Sequence, residues 1–350
     1  MDLISTYANG VSKLTEFSRK ADTAPLIVDV IVNPHAGFFK RKSTLEKMIM
    51  ELEVRLEELR SRYPRRKIEI NLVHFTEYAG HARRITEDIL TREEKARSGL
   101  EHLLIGCGGD GTSNEICTAL IQADGDLLSR LKLLRLPLGS GNDMADTNTF
   151  SEAYDLILGA PHNLKTGALV VTAAGKQVGF SFNIASVGLD AFIADLTNRF
   201  KRAIPGHAYK ALVDVGSLFY KQAIKPLPMD VRIFSKGGEI SINGIVPSMV
   251  VVGISGDRTY GGHMHVLPGQ ENVCVVDHLS LFAKIKNKKL FYDGRHGILP
   301  QVRFYSADRV EINYHAKMPL QLDGELTWLQ EKDFPLVMKL LPPAINVLRG

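Results

Sequence analysis

The chain is poor in the residues that announce special chemistry. Three cysteines, Cys107, Cys117 and Cys274, stand among 350 residues. Their spacings match no zinc pattern, and an odd count does not make a disulfide framework. A reducing, cytoplasmic setting is the expectation. No apolar run approaches the roughly 20 residues that cross a bilayer. Residues 1–24 lack the apolar core of a signal peptide and read as an extension, an extra helix or a loose arm. A dense basic stripe with interleaved aromatics is also missing, so nucleic acid is not an expected partner. The net charge is only +4. The clusters Lys40-Arg41-Lys42 and Arg65-Arg66-Lys67 read as solvated loops or as contacts for an anionic membrane surface.

What is present is ordinary for a globular chain: 45% apolar and 23% charged residues. The length exceeds a single hydrophobic core and predicts two domains. Residues 26–32 (LIVDVIV) form an apolar, β-branched run, as in a strand buried on both faces. Ser43-Thr44-Leu45-Glu46 predicts a capping box that opens a helix, which Pro64 stops. Further strands are predicted at 67–75, 103–105 and 131–136, with helices at 80–97 and 112–122. This alternation predicts a doubly wound α/β domain over 25–162. Loops 33–37, 106–112 and 137–143 each follow a strand, so they converge on one sheet edge, where such folds bind ligands. Beyond about residue 165 short alternating segments take over, at 168–173, 177–184, 229–234, 247–254, 279–285, 303–305 and 309–314. A helical stretch near 190–220 interrupts them. This predicts a mostly antiparallel β-sandwich over 163–335. Residues 336–350 would be a tail that returns to the first domain.

Gly108-Gly109-Asp110-Gly111-Thr112 is the first chemical signal. Glycines let backbone N–H groups approach a phosphate, and the following helix offers unpaired N–H donors. Asp110 would repel that phosphate unless a cation such as Mg²⁺ lay between them. A tight strand-to-helix turn with an exposed aspartate fits these five residues equally well. No Walker A or protein-kinase motif set accompanies them. Gly139-Ser140-Gly141 lacks the spacing of a nucleophile elbow.

In order along the chain stand Asn33-Pro34-His35-Ala36-Gly37, Gly108 to Glu115, Pro137 to Asp143, Phe182-Asn183 with Gly188-Leu189-Asp190-Ala191, Tyr260-Gly261-Gly262, and Asp323-Gly324-Glu325. This series resembles the diacylglycerol kinase catalytic-domain family, which includes bacterial lipid kinases and sphingosine kinases and is more distantly related to NAD kinases. The resemblance spans about residues 26–330. It implies ATP and Mg²⁺, and transfer of the γ-phosphoryl group to a lipid hydroxyl, with ATP in a cleft between the domains. By that resemblance Asn33, Pro34, His35, Ala36, Gly37, Thr76, Gly108, Gly109, Asp110, Gly111, Thr112, Ser113, Asn114 and Ser140 contact the nucleotide. Asp110 organises Mg²⁺ and phosphate, and Asp323 or Glu325 is the general base. A further cation site would use Asp277 with carbonyls near Cys274 and Leu279, although Asp277-His278 departs from the family's usual pattern. The lipid would be met at a membrane surface through peripheral contact. Phe38-Phe39 and an interfacial helix near Lys201-Arg202 are candidates for that contact, and a homodimer is a candidate assembly. Two other readings stand beside this one: a kinase of a soluble acceptor such as NAD, and a non-catalytic nucleotide- or lipid-binding regulator.

Overall fold

A computed structural model describes residues 2–19, 24–139, 141–159, 162–200, 227–260 and 264–349. The chain divides into two compact units, residues 1–166 with 343–350, and residues 167–342.

The first unit is built on β1 (Leu26–Val32), β2 (Ile68–Phe75), β3 (Glu101–Gly108), β4 (Leu131–Pro137) and β5 (His162–Thr166). Strand β1 lies between β2 and β3 and is parallel to both, so every one of its residues is buried. That position explains its unbroken apolar run. The run's one charge, Asp29, has no exposure. His74 Nε2 and Arg92 Nη2 each lie 2.6 Å from its oxygens, and His102 Nε2 lies 2.8 Å away. Burial alone would raise the Asp29 pKa. Hydrogen bonding to His102, His74 and Arg92 overcomes it and holds the carboxyl far below the usual range.

The helices are α1 (Leu3–Leu14), α2 (Lys42–Arg62), α3 (His81–Ala96), α4 (Asp110–Leu120), α5 (Gly125–Arg130) and α6 (Phe150–Leu158). Tyr7 of α1, Leu45 and Leu52 of α2, and Tyr154 of α6 share one core with Val28, Val30 and Val32. The N-terminal stretch is therefore a docked helix. Asp2 caps it by accepting from the Ser5 N–H at 2.8 Å. The hydroxyls of the buried Tyr7 and Tyr154 lie 3.3 Å apart.

Two sequence expectations change here. Helix α2 starts at Lys42 behind Arg41, with no side-chain cap, so Ser43 and Glu46 do not form the expected box. A capping box forms instead at Thr149 and Glu152, opening α6. Phe38 and Phe39 are not a membrane finger. Phe39 is buried against Tyr7, and Phe38 packs edge-on against Phe150.

In the second unit the strands are β6 (Leu169–Ala173), β7 (Lys176–Ser181), β8 (Ile184–Gly188), β9 (Met229–Ser235), β10 (Gly238–Ile245), β11 (Met249–Gly253) and β12 (Arg258–Tyr260). They continue with β13 (Met264–Leu267), β14 (Val273–Val276), β15 (Val302–Tyr305), β16 (Arg309–Tyr314), β17 (Met318–Leu322), β18 (Glu325–Leu329) and β19 (Leu336–Leu340). One sheet has the order β10-β9-β16-β19-β6-β7, another β15-β14-β11-β8-β17-β18, and β12 pairs with β13. Val231 and Val310 of the first sheet share a core with Val250 and Leu320 of the second, which makes a sandwich. Among the described residues two α-helices accompany it, α7 (Leu189–Phe200) and α8 (Leu281–Tyr292). Helix α8 corrects the strand expected at 279–285. Ser280 caps it, accepting from the Ala283 N–H. The remainder of the helical stretch expected to 220, with Lys201 and Arg202, lies outside the described residues.

The chain then re-enters the first unit as β20 (Ile345–Arg349), parallel to β4 and antiparallel to β5. The first sheet therefore reads β2-β1-β3-β4-β20-β5. Its order reverses between β1 and β3, and the loops beyond their carboxyl ends flank that switch point.

Candidate functional site

Strand β3 runs to Gly108 and α4 begins at Asp110, with Gly109 as the N-cap. Asp110 thus lies in the first helical turn, where unpaired backbone N–H groups face outward. Asn33 joins the preceding loop to this turn. Its N–H donates to Cys107 O at 2.9 Å, and its amide nitrogen lies 3.0 Å from Thr112 Oγ1. Its Oδ1 accepts from the His35 N–H at 2.9 Å. The Ala36 N–H returns to Asn33 O at 3.0 Å, and Gly37 opens a short 3₁₀ turn. Thr76 is buried and donates its N–H to Val32 O at 2.9 Å. Glu115 clamps the segment after it: its carboxylate accepts from the N–H groups of Gly80 at 2.7 Å and Ala82 at 3.0 Å. Thr112 and Ser113 are buried in α4, Gly111 lies beside them, and Asn114 accepts from Thr118 at 3.3 Å.

The loop after β4 closes over the same turn. A Cβ on Gly139 would stand 2.7 Å from the Gly109 Cα, so the close approach of the two loops requires glycine at 139. Asn142 shapes the loop, accepting from the Gly139 N–H at 2.6 Å and donating to Pro137 O at 3.2 Å. Asp110 Oδ1 accepts from the Met144 N–H at 2.9 Å. A Cβ on Gly141 would lie 2.9 Å from Asp110 Oδ2 and 3.3 Å from Asp143 Oδ2. Two carboxylates therefore flank Gly141. Ser140 lies outside the described residues. Beside these loops opens a cavity of about 480 Å³, bounded by Asp2, Ile4 and Ser5 of α1 and by His35, Phe75 and Thr76.

In the second unit, Asp323 and Gly324 are the two central residues of the β17–β18 hairpin, with φ of 50° and 93°. Positive φ at both is the mark of a type I′ turn. The Asp323 carboxylate accepts from Ser181 Oγ at 2.7 Å and from the N–H groups of Phe182, Asn183 and Ile184 at 2.7, 3.0 and 3.0 Å. Glu325 begins β18 and is exposed. The Gly324 N–H donates to Gln321 Oε1 at 2.8 Å. The other end of the buried Gln321 reaches Ser186 Oγ at 3.0 Å, and Ser186 donates to Asp190 at 2.5 Å. Burial lifts the Asp190 carboxyl to about 6, against the opposing pull of its hydrogen bonds to Ser186 and Gln321.

Residues 28–169 match the model of the diacylglycerol kinase catalytic domain, and residues 183–349 match that of the YegS C-terminal NAD kinase beta sandwich-like domain. Over residues 28–169 the chain is thus similar to the diacylglycerol kinase catalytic domain. Among its relatives, a Shigella flexneri protein called "probable lipid kinase YegS" is 32% identical over 177 residues, covering 50% of this chain and 54% of that protein. The chain thus spans about half the length of the curated relatives it matches. Two Bacillus anthracis structures share the fold. One, described as a candidate diacylglycerol kinase, is 20% identical with a TM-score of 0.60, covering 95% of this chain and 98% of that one. The other, described as a diacylglycerol kinase, is 16% identical with a TM-score of 0.56, covering 92% and 96%.

The first unit offers residues whose chemistry fits a cation. Asp110 and Asp143 supply two carboxylates on one glycine, the number Mg²⁺ commonly takes from protein while phosphate and water complete its shell. The motif reading assigned no role to Asp143 or Glu115. Both stood within the quoted motifs, Glu115 next to the predicted contact Asn114 and Asp143 three residues after Ser140. The Asp277 group does not fit a second cation in the same way. Asp277 accepts from the His278 N–H at 2.6 Å and lies 3.8 Å from Arg303, so its charge already has an answer. Of the carbonyls expected with it, that of Cys274 belongs to a residue buried mid-strand and paired on both sides, between β11 and β15. Among the described residues no three His, Cys, Asp or Glu side chains gather as a metal group.

Proposed function

We propose that this protein is an ATP-dependent lipid kinase, moving the γ-phosphoryl group onto the hydroxyl of a diacylglycerol-like or sphingoid lipid. The observation that carries this reading is the joining of loops 33–37, 76–82 and 137–144 around the start of α4. There N–H donors for phosphate and a carboxylate pair for a cation lie together. Mg²⁺, when bound, would neutralise charge on the phosphate oxygens. Positioning and charge neutralisation supply most of the catalysis in such reactions. The cavity beside His35 and Phe75 lies in the usual size range for small-molecule sites. Asp2 and the Thr76 hydroxyl give it polar groups suited to a nucleoside, and Ile4 and Phe75 give it apolar walls. Helix α1 thereby becomes one wall of the nucleoside pocket.

The acceptor hydroxyl must lose a proton as it attacks phosphorus. Glu325 suits that role better than Asp323. A carboxylate holding four donors is stabilised in its charged form and is a poor proton acceptor. Asp323 braces the turn that presents Glu325. The ionised base takes the hydroxyl proton, the O–P bond forms, and ADP leaves with the electrons of the broken bond. The products are ADP and a lipid phosphate monoester.

The test is purified protein with Mg²⁺, γ-labelled ATP and a panel of dispersed lipids, with NAD as the competing acceptor. Label in a lipid supports the proposal. Label in NAD alone favours a soluble acceptor, and label in neither removes the kinase reading.

A further inference from the structure

Helix α8 is apolar on two sides. Ala283 and Phe291 pack toward the core that contains Val276 and Leu279. Phe291 also stacks on the buried ring of His296, with centroids 4.5 Å apart. That contact fixes the inner side. Phe282 and Ile285 nevertheless remain 75% and 56% exposed, and Ile298, just past the helix, is 68% exposed. A helix on a water-facing surface keeps its outer side polar, so this departure requires a partner. Positions 282, 285, 286 and 289 follow helical spacing, so Phe282, Ile285, Lys286 and Lys289 form one outward stripe. All four are exposed.

The charge of the helix identifies the partner. Its twelve residues, LFAKIKNKKLFY, contain four lysines and no carboxylate. Arg295 is exposed close to Ile298, and Asp293 at the C-cap is the one acid adjoining the helix. Helix α2 also exposes apolar residues, Met50 and Val54. There the sequence MELEVRLEEL surrounds them with glutamates, which a negative surface would repel. Two of these lysines, Lys286 and Lys289, are exposed on the outer stripe, and apolar residues beside exposed lysines are the composition of an interfacial helix on anionic lipid. We propose that the outer face of α8, with Ile298, docks this protein on an anionic bilayer. Phe282, Ile285 and Ile298 would enter the acyl boundary while Lys286 and Lys289 meet lipid phosphates. The inference deepens the lipid-kinase reading, since that reaction needs an acceptor held in a bilayer, but docking is measurable without catalysis.

The test is co-sedimentation of the full chain with vesicles of phosphatidylcholine alone or mixed with phosphatidylglycerol. The wild type is expected to bind the mixed vesicles and to lose binding as salt rises. The pair F282S/I285S should weaken partitioning about tenfold, following the apolar area removed. The pair K286E/K289E should weaken it about tenfold or more on anionic vesicles and flatten the salt dependence. All four side chains point to solvent, so the thermal midpoint should stay unchanged. Wild-type failure to bind anionic vesicles, or undiminished binding by both pairs, overturns the proposal. So does a loss confined to self-association in light scattering, which would make the partner a second copy. Vesicle binding through this face in a chain that phosphorylates no lipid would sink the kinase reading and leave the docking surface standing.

Discussion

Asp323 and Glu325 stand two residues apart and have different duties in the proposed reaction. There Glu325→Gln keeps the shape and removes the proposed proton acceptor. A fall in kcat of about 10² to 10⁴ with little change in KM is expected from steady-state kinetics. Asp323→Asn keeps a residue that tolerates positive φ but turns an N–H donor toward the Phe182 N–H. A stability loss of about 1–3 kcal/mol by denaturant unfolding is expected. Asp190 has a pH signature. Its folded carboxyl titrates near 6, above the ordinary 3.8. The folded state therefore binds more protons between those values, and stability falls as pH rises from about 4 through 6. Asp190→Asn should remove that slope and stabilise the protein at pH 8 by up to roughly 3 kcal/mol, read from unfolding curves across pH. The sequence exposed the Asp-Gly-Glu triplet, and Asp-Gly between apolar runs is also a hairpin signal. It could not divide the labour, because the donors that occupy Asp323 lie far upstream, at residues 181–184.

Elements with one clear apolar period were legible; elements with two apolar sides were not. Strand β1 and helices α2 and α3 follow from their patterns within a few residues. Helix α8 reads as a strand start because Leu279, Leu281, Phe282 and Ile285 give no single helical face. The structure shows why: one side packs inward and the other is exposed. The short helices α5 and α6 lack a long period and were not among the expected helices. At the strand-end loops the glycines were legible as phosphate-binding candidates. The clamp by Glu115 was not, since it joins α4 to the start of α3 through space. Glu115→Ala should release the N-terminal N–H groups of α3 and cost about 1–2 kcal/mol. Hydrogen exchange should quicken at Gly80 and Ala82 while β3 stays protected.

At the scale of the molecule, the alternation of strands and helices announced the α/β unit, and the change of pattern near residue 165 announced the sandwich. The place of β20 between β4 and β5 could not be read from pattern, because a five-residue apolar strand carries no address. Without residues 343–350, β4 and β5 lose the strand that joins them, and Asn346 no longer reaches Leu128 O, 2.6 Å away in the intact chain. Truncation there should abolish nucleotide binding measured by calorimetry. It should also lower hydrogen-exchange protection in the first unit more than in β6–β19. The same strand sets a timetable for synthesis. The first unit leaves the ribosome early but cannot complete its sheet until residues 343–350 emerge. The sandwich between them can finish first, so the α/β unit begins folding first and completes its sheet after the sandwich.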